Sequence, residues 1–352
     1  MKHLPLAVLF LTLVTPLTAQ QIAADKKLTE TIDVNVVLLD ALVTDSKGNQ
    51  ILGLTKDDFV VRENGVQQPI EAVDYFTNRQ LLDSPEDRAA FKVERVHEDR
   101  YFILFFDKPN EGQLWDRLAL ARGAARRFVD EQMKPGDRVA VVGHDVRLKV
   151  YSDFTSDKLQ LARALDQVAT FGNGLREAPA GDSASILRGL KTSDMINRTG
   201  TVYEALTLLG DATRGIHARK NLVLFSAGIR EIGETSRDGI LLNTSRYYEP
   251  MVQSLNSADV AVYAVNLFEN SGEAPIIHQT LDRVTADTNG QYFRHAVSFL
   301  APLKEIERQN AGYYLITYHS QHAAGSGYQK VDVSVKNPEF RVKARGGYSY
   351  GD

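Results

Sequence analysis

The most informative absence in this chain of 352 residues is that of cysteine. Without a thiol the protein makes no disulfide, no cysteine-ligated zinc or iron–sulfur centre and no nucleophilic thiolate, and it lacks the cysteine that N-terminal lipidation requires. An excess of one charge is lacking as well, since 41 basic and 45 acidic side chains leave a formal net charge of −4. The pI of about 6.1 therefore predicts no broad basic surface for nucleic acid or anionic lipid.

Long apolar runs are also absent, except at the N-terminus. A positive start at Lys2 precedes an apolar run from Leu4 to Val14, and a stretch of small residues ends at Ala19. This order is typical of a secretory signal peptide, residues 1–19, which we expect to be cleaved after Ala19. A transmembrane anchor is the alternative, but the run is too short to cross about 30 Å of hydrocarbon. We therefore expect an exported, soluble protein, periplasmic or extracellular.

Three zones of different pattern follow. Residues 30–76 are rich in β-branched side chains, and Asn64-Gly65 between two extended runs predicts a hairpin because both residues tolerate positive φ. Pro69 places the returning strand at a sheet edge. Residues 77–99 are polar and charged, which is typical of a linker, and residues 311–352 again have the pattern of strands. Because so few strands would be marginal alone, we expect the two ends to pair in one β-sandwich.

The middle zone, residues 100–310, alternates apolar strands with helices, which predicts an α/β domain. Four nearly continuous apolar runs suit parallel strands buried on both faces: 101–106, 139–142, 222–225 and 260–265. The segment RLKVYSDFT follows the second run too closely for a crossover helix, so it predicts an antiparallel edge strand. The helical periodicity predicts helices on both faces of this open sheet, at 114–133, 157–170, 202–212, 247–257 and 298–309.

Several motifs of this zone resemble the von Willebrand factor A (VWA) domain, which has a Rossmann-like fold. KPGDRVAVV resembles the turn into its second strand, TGTVYEAL its threonine loop, and LVLFSAGI the strand that usually precedes Ser-Asp-Gly. The flanks, ALVTDSKGNQILGLTKDDFVVRENGVQQPIEAVDYF and VDVSVKNPEFRVKARGGYSYG, closely resemble the two ends of the VWFA-related family described from Acidobacteria. The resemblance implies a VWA domain inserted between two β segments, and it covers nearly all of the chain after the signal peptide.

The resemblance also implies where a metal-ion-dependent adhesion site would lie. Family members hold Mg²⁺ beyond the carboxyl ends of the strands through Asp-x-Ser-x-Ser, a threonine and a late aspartate. Asp107 and Thr201 match the first aspartate and the threonine, whereas Pro109 and Glu111 stand in the serine positions and Ala227 replaces the late aspartate. Because Mg²⁺ needs near-octahedral oxygen ligation at about 2.0–2.1 Å, we expect a degenerate site with no metal and no other cofactor. Asp107, Glu111 and Thr201 are the residual ligands if a cation does bind.

Candidates for catalysis are weaker. The sequence has no HExxH spacing, no nucleophile elbow and no glycine-rich phosphate loop after a strand. His144 and Asp145 end the second strand of the sheet; one interpretation places them near the crevice, and we favour the other, an exposed histidine in a hairpin turn. The long connection at 171–200 precedes Thr201, so we expect it over the crevice, either as a partner-binding lid or as a mobile insertion.

These patterns predict an exported, non-catalytic protein that binds protein partners of unknown identity, in adhesion or as a scaffold. The expected contact surface is the rim of the crevice: Asp107, Asn110, Glu111, Thr201, Ser226 and the connection at 171–200. Two alternatives stay open. One is a metal-dependent hydrolase that uses Asp107 and Glu111 with a bound cation, and the other is a structural envelope component that binds through the β-sandwich. Neither nucleic acid nor membrane insertion is expected.

Overall fold

The computed structural model describes most of the chain after residue 34. The described ranges are 35–77, 99–109, 112, 114–181, 183–216, 218–229, 245–268, 275–310, 312–320 and 325–351. The expected signal peptide, residues 1–19, and most of the expected linker lie outside them, as do Asn110 and Glu111. None of the helices in these ranges has the length and apolar character that crossing a membrane requires.

The first zone forms four strands: β1 (Asn35–Thr44), β2 (Phe59–Glu63), β3 (Val66–Gln68) and β4 (Ile70–Thr77). Asn64 and Gly65 join β2 to β3 with φ values of 48° and 83°. The hairpin predicted from this pair is confirmed, because β2 and β3 are antiparallel neighbours. β3 lies at the edge of its sheet, in agreement with the position of Pro69.

The middle zone alternates strands with helices. Its strands are β5 (Arg100–Asp107), β6 (Asp137–His144), β7 (Leu148–Thr155), β8 (Lys220–Ser226), β9 (Val260–Asn266) and β10 (Gln291–Phe293). Its helices are α1 (Leu114–Glu131), α2 (Lys158–Val168), α3 (Thr192–Asn197), α4 (Val202–Thr213), α5 (Ser245–Ser257), α6 (Pro275–Asp287) and α7 (Leu300–Gln309). The five predicted helices are observed close to their predicted bounds; α3 and α6 were not predicted.

These strands form one six-stranded sheet in the order β10-β9-β8-β5-β6-β7. Neighbouring strands are parallel except β6 and β7, which are antiparallel. This confirms the predicted open, mostly parallel sheet with an antiparallel edge strand. β6 and β7 lie on one side of β5, and β8, β9 and β10 lie on its other side. The strand order therefore reverses between β5 and β8, and the carboxyl ends of these two strands border a crevice at this topological switch point.

Helices cover both faces of the sheet. On one face Ile103 and Phe105 share a hydrophobic cluster with α4, α5 and α6. On the other face Phe102, Leu104 and Phe106 share a second cluster with α1, α2 and α7. All five of these β5 residues are at most 1% exposed, and burying one such side chain stabilises the fold by about 1.5–3 kcal/mol. The ends of β5 and its neighbours are therefore held on a rigid support.

The last zone adds β11 (Gly312–Ser320), β12 (Gly327–Val335), β13 (Arg341–Ala344) and β14 (Gly347–Tyr350). These strands combine with those of the first zone into two four-stranded sheets, in the orders β13-β1-β11-β4 and β14-β12-β2-β3. Side chains from both sheets share one hydrophobic cluster, which includes Leu39 of β1, Val61 of β2 and Ile316 of β11. Each of the two sheets therefore contains strands from both ends of the chain.

A buried carboxylate links these two sheets. Glu63 of β2 accepts hydrogen bonds from the hydroxyls of Tyr318 (2.7 Å), Ser320 (2.7 Å) and Tyr348 (3.0 Å). Tyr318 and Ser320 belong to β11 in the opposite sheet. Burial and the Glu63 carboxylate raise the pKa of Tyr318 above its usual range, and burial raises the pKa of Tyr348 to about 12. Both phenols therefore stay protonated and donate to Glu63 over the physiological pH range.

A group of buried charges lies where β1 approaches the amino ends of β8 and β9. Lys220 is completely buried, and its ammonium donates to the carbonyls of Ile216 and Ala218 at 2.6 Å each. Burial lowers the pKa of Lys220 to about 8. Burial, and then the neighbouring Asp259, raise the pKa of Asp40 well above its usual value. These groups make the junction sensitive to pH.

Candidate functional site

Three side chains meet at the carboxyl ends of β5, β6 and β8. Asp107 ends β5, His144 ends β6 and Ser226 ends β8. Asp107 and His144 are direct neighbours in the parallel register of their strands, which places the two residues side by side at the sheet's edge. The Asp107 side chain is 15% exposed and that of His144 is 7% exposed, so the group borders the crevice but lies mostly beneath its surface.

Both oxygens of the Asp107 carboxylate face groups of the protein itself. The Ser226 hydroxyl donates to Asp107 Oδ2 at 2.7 Å and accepts the amide of Gly228 at 3.1 Å. The Nδ1 atom of His144 lies 3.6 Å from Asp107 Oδ1. That separation is too long for a hydrogen bond, but it suffices for an ion pair when the imidazole is protonated. Asp107 thus has a hydroxyl donor on one side and an imidazole on the other.

The position of His144 differs from the exposed turn residue that we favoured in the sequence. His144 is 6% exposed, and its Nε2 lies 3.0 Å from the carbonyl oxygen of Thr199. Because a carbonyl oxygen only accepts, this contact requires the proton on Nε2. The expectation was wrong because the imidazole turns inward, where the end of the 171–200 connection supplies a hydrogen-bond partner.

The two threonines of that connection have different roles. Thr199 is completely buried; its hydroxyl accepts the amide of Leu148 at 3.0 Å and donates to the carbonyl of Met195 at 2.5 Å. Thr201 caps helix α4, since its hydroxyl accepts the amide of Glu204 at 3.2 Å and donates to the Glu204 carboxylate at 3.1 Å. The structure therefore connects Thr199, through His144, to Asp107, and it gives the hydroxyl of Thr201 partners within its own helix.

Two other positions of the predicted adhesion site, Pro109 and Ala227, have no side-chain oxygen. Pro109 is buried beyond the end of β5, and Ala227 packs against the hydrophobic cluster of α1, α2 and α7. Asn110 and Glu111 lie outside the described residues. Among the described residues, no three histidine, aspartate or glutamate side chains are arranged to hold a metal ion.

The described groups do not fit an octahedral Mg²⁺ site. The Ser226 hydroxyl hydrogen points at Asp107, so its oxygen has a carboxylate and a backbone amide as partners. The second oxygen of Asp107 lies 3.6 Å from the imidazole Nδ1 of His144, and an imidazole is not among the oxygen ligands that Mg²⁺ prefers. Thr201 supplies its hydroxyl to a helix cap. These contacts replace the ligation that the family motif implies.

The arrangement also differs from a nucleophilic triad. Ser226 is completely buried and donates to Asp107, and His144 faces that same carboxylate. In a triad the histidine lies between the hydroxyl and the carboxylate and removes the hydroxyl proton. Here the carboxylate lies between the other two groups, so His144 is not placed to remove the serine proton.

Most of the 171–200 connection packs along the edge strand β7 and does not form a lid over the crevice. Asp153 of β7 is 2% exposed, and its carboxylate accepts the Ser185 hydroxyl at 2.6 Å and the amides of Ile186 and Leu187 at 2.8 and 3.3 Å. Asp153 also accepts the amide of Phe154 at 2.8 Å. Ile186 and Leu187 are buried in the adjoining cluster. Within the described part of the connection, Thr199 near its end contacts His144, and Phe171 at its start packs near Lys108.

An aromatic pair, the half-buried Trp115 and the buried Phe171, lies beside the crevice. The ring centroids of Trp115 and Phe171 lie 6.0 Å apart in an edge-on contact. The ammonium of the exposed Lys108 lies 6.0 Å from each ring centroid. A cation held between two rings keeps its position better than a free lysine. Lys108 follows Asp107 directly in the chain and places an exposed cation next to the buried group.

No protein-family model matches the chain, and no curated protein sequence matches it. Solved structures that are similar include an aerotolerance-related membrane protein from Bacteroides fragilis NCTC 9343, with 14% identity, a TM-score of 0.39, and coverage of 60% of this chain and 98% of that chain. The vWF domain of the type V pili tip protein Mfa5 from Porphyromonas gingivalis has 13% identity, a TM-score of 0.41, and coverage of 61% and 96%.

A third similar structure is the ArnB paralog VWA2 from Sulfolobus acidocaldarius. It has 11% identity and a TM-score of 0.36, with coverage of 90% of this chain and 74% of that chain. At identities and TM-scores this low, the likenesses carry no argument about function. The assignment of an α/β fold rests on the observed strand order of the six-stranded sheet.

Proposed function

We propose that this chain is an exported, non-catalytic binding protein of the VWA type, with a degenerate metal-ion-dependent adhesion site whose rim contacts a protein partner. The two flanking sheets form the β-sandwich into which this domain is inserted. The observation that carries the proposal is the occupation of the Asp107 carboxylate by Ser226 and His144. A metal site of this type exposes its aspartate to a cation and to the partner, whereas here internal groups take that place.

The residues beside Asp107 could bind a protein partner without a bound metal ion. Lys108 is exposed beside Asp107, and its ammonium lies 6.0 Å from the ring of the half-buried Trp115, so this group offers a positive charge next to part of one aromatic ring. Aromatic and cationic side chains contribute strongly at protein interfaces. The proposed contact surface comprises Lys108 and Thr201, together with Asn110 and Glu111, which the sequence alone assigns to it; the mostly buried Asp107 and the buried Ser226 lie at the ends of β5 and β8 beside Lys108.

The hydrolase alternative is less well supported. It requires Asp107 to bind a cation, and both of its oxygens already face protein groups. Ser226 is completely buried, and His144 faces the Asp107 carboxylate, not the Ser226 hydroxyl. The other alternative, binding through the β-sandwich alone, is kept as an outcome of the experiment below.

Calorimetric titration tests the metal part of the proposal. MgCl₂, MnCl₂ and CaCl₂ are titrated separately into the purified chain and into an Asp107→Asn variant. We expect no saturable heat from either protein. A saturable signal with the wild-type chain that is lost in Asp107→Asn would contradict the proposal and favour metal-mediated adhesion or hydrolysis.

Site-specific photo-crosslinking tests the contact surface. A photoreactive phenylalanine derivative is introduced at Lys108 or Gly112 on the rim, at the 59% exposed Leu120 of α1, or at the 64% exposed Val66 of β3. In cells that make this protein, we expect one shared adduct from the two rim positions and none from Leu120. An adduct from Val66 alone would overturn the proposal in favour of binding through the flanking sheets.

Cell fractionation tests the expectation of export. The mature protein is expected outside the cytoplasm with an N-terminus at Gln20. Recovery of the uncleaved chain from the cytoplasmic fraction would contradict export while leaving the crosslinking result unaffected.

A further inference from the structure

A groove with a cavity volume of about 120 Å³ lies beside the group around Asp107. It is enclosed by the turn between β6 and β7, by residues 173–176 and by helix α3. Leu148 in its wall donates its amide to Thr199, whose carbonyl contacts His144, so the groove and the crevice share a wall. Its main side chains are Arg147, Lys149, Leu175, Arg176, Met195 and Ile196.

The charge in this groove has one sign. Arg147, Lys149 and Arg176 line it, and none of its lining residues is an aspartate or glutamate. Lys149 is already bonded to Asp145 at 2.8 Å and to the carbonyl of Phe171 at 2.7 Å. Arg147 and Arg176 are exposed, and within the part of the chain that the structure describes neither guanidinium has an ion-pair partner. On a chain of net charge −4, this is a local site for an anionic group.

Apolar surface accompanies the two guanidinium groups. Leu175 is 41% exposed and Ile196 is 44% exposed along the groove. Val146, in the turn next to Arg147, is 71% exposed and has a φ of 92°. A β-branched residue adopts positive φ only when its surroundings enforce it, and such strain is concentrated at functional sites. The fold therefore holds an aliphatic side chain outward at the mouth of the groove.

The groove is also rigid. The Leu175 amide donates to the carbonyl of Val150 in β7 at 2.7 Å. A Cβ atom at Gly174 would lie 3.0 Å from the Val150 oxygen and 3.1 Å from its nitrogen, so the chain approaches β7 as closely as glycine allows. On the other side, Asp153 fixes the path of residues 185–187. A preformed surface loses little conformational entropy when a partner binds.

We propose that this groove binds an acidic segment of the partner protein, with a carboxylate between Arg147 and Arg176 and an aliphatic side chain against Leu175 and Ile196. This inference rests on the proposed function, because it assigns the partner's chemistry at the surface that adjoins the rim. A guanidinium binds a carboxylate through paired, charge-assisted hydrogen bonds. The aliphatic floor selects a peptide with apolar side chains over a simple inorganic anion.

Fluorescence anisotropy tests the proposal with a defined probe. A fluorescein-labelled peptide of alternating aspartate and leucine is titrated with the full mature chain at low ionic strength. A peptide in which asparagine replaces aspartate is the matched probe, and we expect it to bind at least about tenfold more weakly. Equal binding of the two peptides, or no binding of the acidic peptide at millimolar protein, would overturn the proposal.

Matched variants locate the binding site. We expect the double variant Arg147→Glu/Arg176→Glu to weaken binding of the acidic peptide by at least about tenfold, and Ile196→Ser to weaken it by a smaller factor. The control variant Arg126→Glu/Arg127→Glu reverses two charges on the exposed face of α1 and should leave binding unchanged. An equal loss of peptide affinity in both double variants would mean that the loss depends on the net charge of the protein alone, and would contradict the assigned site.

The outcome is separable from that of the proposed function. If Lys108 crosslinks to a partner and this adduct is unchanged in Arg147→Glu/Arg176→Glu, the groove proposal is overturned while the proposed function stands. If the acidic peptide binds as expected and no rim position crosslinks, the groove proposal is supported and the proposed function fails. Binding of phosphatidylglycerol vesicles in place of the peptide, lost in the same double variant, would also overturn the peptide proposal.

Discussion

Replacing Asp153 by alanine should detach the connection between α2 and α4 from the edge of the sheet. The Asp153 carboxylate accepts four hydrogen bonds, from the Ser185 hydroxyl and from the amides of Phe154, Ile186 and Leu187. Hydrogen bonds to a charged group contribute roughly 1.5–3 kcal/mol each, which would sum to about 6–12 kcal/mol if they were additive. They are not additive, because the connection can open and expose its donors to water. We therefore expect a loss of about 3–5 kcal/mol, the range for removing one partner from a buried charged network.

Urea denaturation followed by circular dichroism measures this loss, and amide hydrogen exchange locates it. The amides of Ile186 and Leu187 should exchange much faster in Asp153→Ala than in the wild-type chain. The exchange rates of Phe105 and Leu224 in the central strands should change only as much as the global free energy of unfolding changes. Asp153→Asn is the matched variant. Its amide keeps one oxygen for the bonds at Oδ1 and loses the acceptor at Oδ2, so an intermediate effect is expected.

Two results would refute this reasoning. One is a destabilisation below about 1 kcal/mol in Asp153→Ala, which would mean that water replaces the carboxylate without penalty. The other is unchanged exchange at Ile186 and Leu187, which would mean that packing of the connection, and not the carboxylate, fixes its path. The peptide-binding groove depends on the same anchor, so affinity for the acidic peptide should fall together with protection at these amides.

Three further predictions concern buried polar groups. Burial and the neighbouring Asp259 raise the pKa of Asp40. Its contribution to the free energy of unfolding is therefore fully present below about pH 4 and is lost as pH rises through the raised pKa. Asp40→Asn should flatten this part of a stability curve determined with urea. Burial lowers the pKa of Lys220 from 10.5 to about 8, so stability should rise from pH 8 to 10.5 by roughly 3 kcal/mol relative to Lys220→Met, measured in the same way. Glu63→Leu leaves three buried hydroxyls without an acceptor and should destabilise by about 2–4 kcal/mol, whereas Tyr318→Phe should destabilise by about 1 kcal/mol; similar effects of the two would contradict the network.

The order of strands and helices in the middle zone follows from local sequence patterns, except for the helices α3 and α6. Helix α6 was not predicted, because its buried face is not a stripe of large apolar side chains. Thr280 and Thr285 are 4% and 3% exposed beside Leu281 and Val284, so in the described part of the helix polar side chains are buried next to apolar ones. Hydrophobic periodicity detects a helix only when burial and apolar character coincide. Neighbouring elements bury these two threonines, and the pattern of apolar residues in the sequence does not indicate this burial.

The site was predictable only in part for a related reason. Asp107 and Ser226 could be located because each ends an apolar strand, and the carboxyl ends of parallel strands share one edge of the sheet. His144 and Thr199 were missed as partners because their meeting depends on strand register and on the path of residues 171–200. Those depend on long-range contacts, such as the one between Asp153 and Ser185, that no local pattern encodes.

The position of β1 between β13 and β11 has a consequence for how the protein is made. Asn35 pairs with Ser320 and Thr44 pairs with Arg341, so both neighbours of this strand leave the ribosome after the whole six-stranded sheet. A nascent chain therefore carries β1 as an unpaired, half-apolar strand for most of translation, exposed to self-association and to chaperones. During synthesis the two small sheets cannot close before β11 to β14 are made, and a chain that stops short of β11 would leave its first strands without these partners.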